Sequence, residues 1–145
     1  IDKPYKVGYI AGVFDLFHIG HLNMFKRAKE QCRYLIVGVV SDEGVRLNKQ
    51  AEPFVPFDER IEMVRSCKYV DEAIKLPLDF CGTRDMFKIY HFDVQFSGSD
   101  YEHDPAWLAE KEFLEKNGST MVFFPYTQST SSTKLKRAIE NRINN

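Results

Sequence analysis

Apolar positions along the chain follow two rhythms: short unbroken runs, and stretches in which they recur every three or four residues. Residues 6–11 (KVGYIA) and 34–40 (YLIVGVV) are unbroken runs, the pattern of buried parallel strands covered on both faces. Between them, residues 20–31 place Leu22, Met24, Phe25 and Ala28 at helical spacing. After residue 40 a long loop is expected, punctuated by Pro53 and Pro56. A helix follows over about 57–66, with Ile61, Met63 and Val64 apolar and Asp58 and Glu59 at its positive end. The rest reads as a strand at 69–76, a helix at about 84–90, a strand at 93–97 and a helix at about 105–117 stopped by Gly118. A last strand at 120–124 and a last helix at 131–143 complete the chain.

This alternation predicts one α/β domain over residues 1–145, a five-stranded parallel sheet with helices on both faces and right-handed crossovers. Ligands of such sheets bind at the carboxyl ends of the strands, near the switch in strand order. The loops after each strand are therefore where chemistry is sought.

Composition narrows the partners. A chain of 145 residues with 43% apolar and 28% charged residues supports one ordinary globular core. The formal charge of −1 gives no global attraction to nucleic acid or to an anionic membrane, and neither is expected as a partner. Cys32, Cys67 and Cys81 show no metal-ligand spacing and read as reduced thiols. No run reaches the ~18 apolar residues of a membrane span and no leader pattern opens the chain, so a cytoplasmic protein is expected.

The first post-strand loop carries the strongest chemical signal: Gly12-Val13-Phe14-Asp15-Leu16-Phe17-His18-Ile19-Gly20-His21. Two histidines three apart open a helix, where free backbone N–H groups and the helix dipole favour an anion. Gly20 lets a phosphate approach the backbone. His-x-x-His without a third ligand nearby is a weak zinc pattern, and no metal ligand set is assigned. The last loop supplies Thr127, Ser129, Thr130, Ser131, Ser132 and Thr133 just before and into the final helix. Taken alone, that run is either an N-cap with solvated hydroxyls or a phosphate cradle.

GVFDLFHIGH resembles the HxGH motif of the cytidylyltransferase-like nucleotidyltransferases, and the resemblance extends over most of the chain. RAKEQCRYLIVGVVSDE, PFDERIEMVRSCKYVDEAI and FDVQFSGSDY are similar to family stretches, and YTQSTSSTK resembles the family's RTEGIST motif. Size and motif spacing place bacterial glycerol-3-phosphate cytidylyltransferases nearest. The resemblance implies a Rossmann-like three-layer sandwich, with His18, His21 and Lys49 as catalytic residues. It implies nucleotide contacts from Gly12, Val13, Phe14, Asp15, Gly20, Lys68, Asp100, Tyr126, Thr127, Thr130, Ser131, Ser132 and Thr133. Asp15 either joins these contacts or only orders the loop. Arg60 and Arg84 are matched to acceptor binding. The chain departs from the pattern in placing Tyr126 where the family has arginine, Lys68 for another arginine, and Val13 for a threonine.

The reaction so implied joins the α-phosphate of CTP to a small phosphorylated acceptor and releases pyrophosphate, with Mg²⁺ as cofactor bridging triphosphate oxygens. A phosphomonoester is largely dianionic at neutral pH and needs no general base, so the protein's task is positioning and charge stabilisation. The rivals are transfer of AMP to a sugar phosphate, as in adenylyltransferases that make ADP-heptose, and a non-catalytic nucleotide-binding module. GSDYEHDPAWLAEKEFLEKNGSTMVFF is similar to the adenylyltransferases, FDLFHIGH and CKYVDEAI to the CTP enzymes. Resemblance also implies a homodimer packed beside the HxGH motif, with Phe54 and Phe57 as candidates for the interface or the acceptor pocket.

Overall fold

The computed structural model describes residues 3–49, 51–76, 82–125 and 131–144, without the side chains of residues 48 and 49. Five parallel strands form one sheet in the order β3-β2-β1-β4-β5: β1 (Tyr5–Gly12), β2 (Cys32–Val40), β3 (Glu72–Leu76), β4 (Val94–Gly98) and β5 (Thr120–Phe124). Helices α1 (Ile19–Gln31) and α3 (Phe57–Arg65) pack on one face, and α4 (Thr83–Tyr90) and α5 (Pro105–Lys116) on the other. The α/β sandwich expected from the alternation is what forms.

The period of two along each strand divides the core. Ile10, Leu35, Val37, Val39, Val94 and Phe96 point to the α1/α3 side, where Phe25, Ala28, Ile61 and Val64 meet them. Tyr9, Ile36, Leu76 and Met121 point to the α4/α5 side, against Met86 and Leu114. Strands buried on both faces have no polar alternation, which is why β1 and β2 read as continuous runs.

Two expectations are corrected. The long loop after β2 holds a helix, α2 (Asp42–Lys49), which begins where the Ser41 hydroxyl accepts from Gly44 N–H at 3.1 Å. Gly44 and only one deeply buried apolar residue, Val45, hid it from a hydrophobic-period reading. The third strand begins at Glu72 rather than 69, because the chain first turns through a Val70 N–H to Cys67 C=O bond. The short 3₁₀ turn at Ser99–Tyr101 and the final helix α6 (Ser132–Asn144) follow β4 and β5. Both therefore start at the carboxyl edge of the sheet, next to the β1/β4 switch.

Candidate active site

At that edge a cavity of about 490 Å³ opens between the start of α1, the end of β4 and the start of α6. Of the expected residues, His18, Gly20, His21, Asp100, Ser131, Ser132 and Thr133 line it together. Gly98, Tyr101, Phe124 and Pro125 close it from the sheet side, and Met24 and Arg27 from α1.

The histidines are fixed by an exchange of backbone bonds. His18 is the N-cap of α1, and its Nδ1 accepts from Gly20 N–H at 3.0 Å. In return His21 Nδ1 accepts from His18 N–H at 3.2 Å. This is a capping box in which imidazoles replace hydroxyl and carboxylate. It corrects one expectation: the first-turn donors His18 N–H and Gly20 N–H are engaged by ring nitrogens, not left for a phosphate. A neutral imidazole that accepts at Nδ1 carries its proton at Nε2. Each ring therefore offers an Nε2–H donor, with the ring centroids 4.0 Å apart.

Their charge state follows from burial. Desolvation pushes His21 down to about 3, helped by His18 and opposed by Asp15. Phe14 and Phe17 flank its ring, at 5.4 and 5.3 Å between centroids. Desolvation lowers His18 as well. Both are neutral donors at neutral pH.

The loop carrying them is strained and clamped. Phe14 and Leu16 have φ of +58° and +50°, a region few bulky residues adopt, and such strain persists only where surrounding structure dictates it. The Phe14 ring lies so close over Gly12 that a Cβ there would stand 2.8 Å from it, so the close packing of this turn requires glycine at position 12. Asp15 is 3% exposed, and its carboxylate accepts from Phe54 N–H, Val55 N–H and Lys136 Nζ, at 2.8, 3.0 and 2.9 Å. Burial pushes its pKa up, but the Lys136 ammonium and the two N–H groups outweigh that and hold it below normal. Its own carbonyl accepts from the Ser132 hydroxyl at 2.7 Å. Asp15 thus orders the loop and ties it to α6.

The start of α6 answers the question its hydroxyls posed. Ser131 Oγ caps by accepting from Lys134 N–H, and Ser132 is spent on Asp15. The Thr133 hydroxyl and the N–H groups of Ser132 and Thr133 have no partner among the described residues and border the cavity. The run is a cap and a potential cradle at once.

Other expected residues lie elsewhere. The Arg60 side chain is fully buried and gives hydrogen bonds to the carbonyls of Val13, Val40 and Val55 and to Asp42, so it is a clamp and not an acceptor-binding group. Val13 accordingly serves through its carbonyl. Arg84 pairs with Glu110 at 3.2 Å and lies over the Phe113 ring, apart from the cavity. Lys68 precedes β3, whose Glu72 pairs with Ile36 well short of Val40, so it stands at the amino edge of the sheet, opposite the histidines. Lys49 ends α2, with its side chain outside the described residues. Tyr126, Thr127 and Thr130 also lie outside them.

Sequence reasoning missed Lys136, Tyr101 and Arg27. Arg27 Nη1 donates to Pro125 C=O at 3.0 Å across 98 positions of sequence. Its only early signal was its place on the helix that the histidines open. Among the described residues no group of three His, Cys, Asp or Glu side chains is placed to hold a metal, and no helix is long and apolar enough to cross a membrane.

Comparisons with known proteins place the chain in a family. The family model described as cytidylyltransferase-like matches residues 9–138. The chain is 36% identical over 139 residues to the FAD synthase of Thermococcus kodakarensis, covering 92% of this chain and 89% of that protein. It is 32% identical to the glycerol-3-phosphate cytidylyltransferase of Bacillus subtilis, covering 88% and 92% of the two. It is 34% identical to the ethanolamine-phosphate cytidylyltransferase of Dictyostelium discoideum, of which it spans 39%. The lipopolysaccharide core biosynthesis protein of Thermoplasma volcanium superposes with a TM-score of 0.68 at 25% identity, over 87% of this chain and 99% of that one. A strained GVFDLFHIGH turn, two capped imidazoles at a strand-order switch and a family match along nearly the whole chain have one reading: this is a nucleotidyltransferase of the cytidylyltransferase-like family.

Proposed function

We propose that the chain transfers CMP from CTP to a small phosphomonoester, glycerol 3-phosphate or a similar alcohol or amino-alcohol phosphate, and releases pyrophosphate. The observation that carries this reading is the pair of neutral imidazoles locked as Nε2–H donors beside the first turn of α6. An acceptor phosphate oxygen attacks the α-phosphorus in line, and the bond to the bridging oxygen of pyrophosphate breaks. Negative charge gathers on the non-bridging α-oxygens as this happens. His18 and His21 donate to those oxygens, and donors fixed in advance cost no reorganisation during the reaction. Thr133 and the α6 N–H groups hold the phosphates, with Lys49 assigned to them from the end of α2.

Magnesium fits this chain as part of the substrate. Asp100 is the one carboxylate among the described residues lining the cavity, so magnesium carried on the triphosphate would have Asp100 as its protein ligand there and would neutralise phosphate charge.

The names of two relatives, a glycerol-3-phosphate and an ethanolamine-phosphate cytidylyltransferase, support CTP and an alcohol phosphate. The FAD synthase relation supports a second reading, adenylyl transfer from ATP to a larger phosphomonoester. Pyrophosphate release with CTP or ATP against a panel of glycerol 3-phosphate, phosphoethanolamine, phosphocholine, sugar phosphates and flavin mononucleotide separates the two. Turnover with ATP and not CTP would overturn the first reading, and none with any pair would overturn both.

A further inference from the structure

We propose that Arg27 is the residue that reads the nucleotide base, selecting cytosine through the Nε–H and Nη2–H edge of its guanidinium. The proposal rests on the CTP reading above. Three observations carry it. First, Arg27 is the one lysine or arginine among the described residues lining the cavity, and it has no acidic partner among them. Second, among the described residues one of its five N–H donors is engaged, from Nη1 to Pro125 C=O. That bond orients the plane and leaves the opposite, two-pronged edge without a described partner. Third, Arg27 lies about 9 Å further along α1 than His21, at ~1.5 Å per residue. A nucleotide whose α-phosphate meets the histidines carries its base past the ribose, at a comparable distance from the phosphorus.

The surroundings suit a base. Met24 stands on the same stretch of α1, and Tyr101 faces the cavity with its ring stacked on Trp107, 4.4 Å between centroids. A flat ring is thus offered an aromatic wall already backed by another.

The edge chemistry selects. Cytosine presents O2 and N3 as adjacent acceptors, which match two parallel N–H donors. Uracil has the same shape but an N–H at position 3, which opposes a donor. Adenine pairs its N1 acceptor with an N6 amino donor, so neither matches. Well-formed two-pronged contacts between arginine and a base discriminate by about 1–3 kcal/mol, which is roughly 5- to 150-fold in affinity. Phosphate binding by the same side chain would carry no such preference, because all three nucleotides share the triphosphate.

Isothermal titration of the protein with CTP, UTP and ATP in magnesium buffer tests this. The wild type is expected to bind CTP more tightly than UTP and ATP. Arg27→Ala should weaken CTP binding about 10- to 100-fold and leave UTP and ATP within about two-fold, erasing the preference. Arg27→Lys keeps the charge and the apolar stem but lacks the planar fork, so it too should lose the preference of CTP over UTP. It decides the matter if the alanine variant fails to fold. A wild type that prefers CTP and variants that keep the preference would overturn the role of Arg27, as would equal loss for all three nucleotides. A wild type that prefers ATP would instead overturn the CTP reading and, with it, cytosine selection.

Discussion

His18 and His21 each accept at Nδ1 from a backbone N–H, which sets tautomer and orientation together, and burial keeps both rings neutral. Replacing either by alanine removes one Nε2–H donor and one half of the cap. Loss of a comparable fixed donor costs on the order of 10²–10³ in turnover, and that is the expected loss for each variant. Near-normal pyrophosphate release from both would remove the histidines from the mechanism. Their low pKa values also make the fold acid-sensitive. In the unfolded chain both titrate near 6.5, whereas the folded values are depressed, to about 3 for His21. Between those limits the unfolded state binds more protons, so stability is complete above 6.5 and falls as pH falls. His21, the more buried of the two, contributes a slope of at most about 1.4 kcal/mol per pH unit. The lowered carboxyls of Asp15 and Asp42 act in the same direction but only below their ordinary value of 3.8. His21→Gln should therefore flatten the fall in melting temperature between pH 6.5 and 4.5. Parallel curves for variant and wild type would show that His21 titrates normally in the fold.

At the scale of elements, Arg60 and Asp15 hold together what the sheet alone does not. Arg60, on α3, links the β1 loop, the end of β2, the segment before α3 and Asp42 at the head of α2. Arg60→Ala would leave three carbonyls without their donor and Asp42 without its partner. Leaving buried carbonyls without a donor costs about 1–3 kcal/mol each, and the total is read as a shift in denaturant midpoint at constant slope. A shift worth less than ~1 kcal/mol would show that water replaces the clamp. Such roles explain what the sequence made legible. Strands β1 and β2 and helix α1 announce themselves because burial on both faces, or on one stripe, leaves a periodic trace. The GVFDLFHIGH loop announces itself because a strained turn and an imidazole cap tolerate few residue types. Helix α2 left little trace, since Val45 is its one deeply buried apolar residue, although Ser41 followed by Asp42 and Glu43 is a start signal. Whether a basic residue meets a ligand or a carbonyl is not local information. Arg60 and Arg27 look alike in sequence, yet one is sealed inside and the other borders the cavity, joined to a carbonyl 98 positions away. Lys68 was matched by its neighbours Tyr69-Val70-Asp71, which fixed its place in the chain but not the edge of the sheet it occupies.

For the molecule as a whole, the open question is what covers the apolar surface that one core leaves exposed. The chain has twelve phenylalanines and seven tyrosines, and the two clusters on the sheet absorb many of these rings. Phe57, one of the two expected interface residues, packs on the α1/α3 cluster with Arg60 and Lys75 over its ring. Phe54 does not: it is 43% exposed, with Lys136 over one face. Close to it is a recess of about 300 Å³ lined by Phe14, Leu16, Phe17, Val55, Met63, Leu135 and Arg60, where Met63 is itself half-exposed. Phe54 and Met63 are the exposed apolar side chains beside the GVFDLFHIGH loop and so the candidates for a covered surface. The proposal is a homodimer in which a second copy covers Met63 and Phe54. It would also add contacts to the strained Phe14–Leu16 turn, so that assembly and catalysis share one loop. Sedimentation at micromolar concentration should give about twice the chain mass of 16.9 kDa. Met63→Glu places a charge in the covered recess and should return the protein to monomer with lower turnover. A wild type that sediments as a single species near 16.9 kDa would end the dimer proposal.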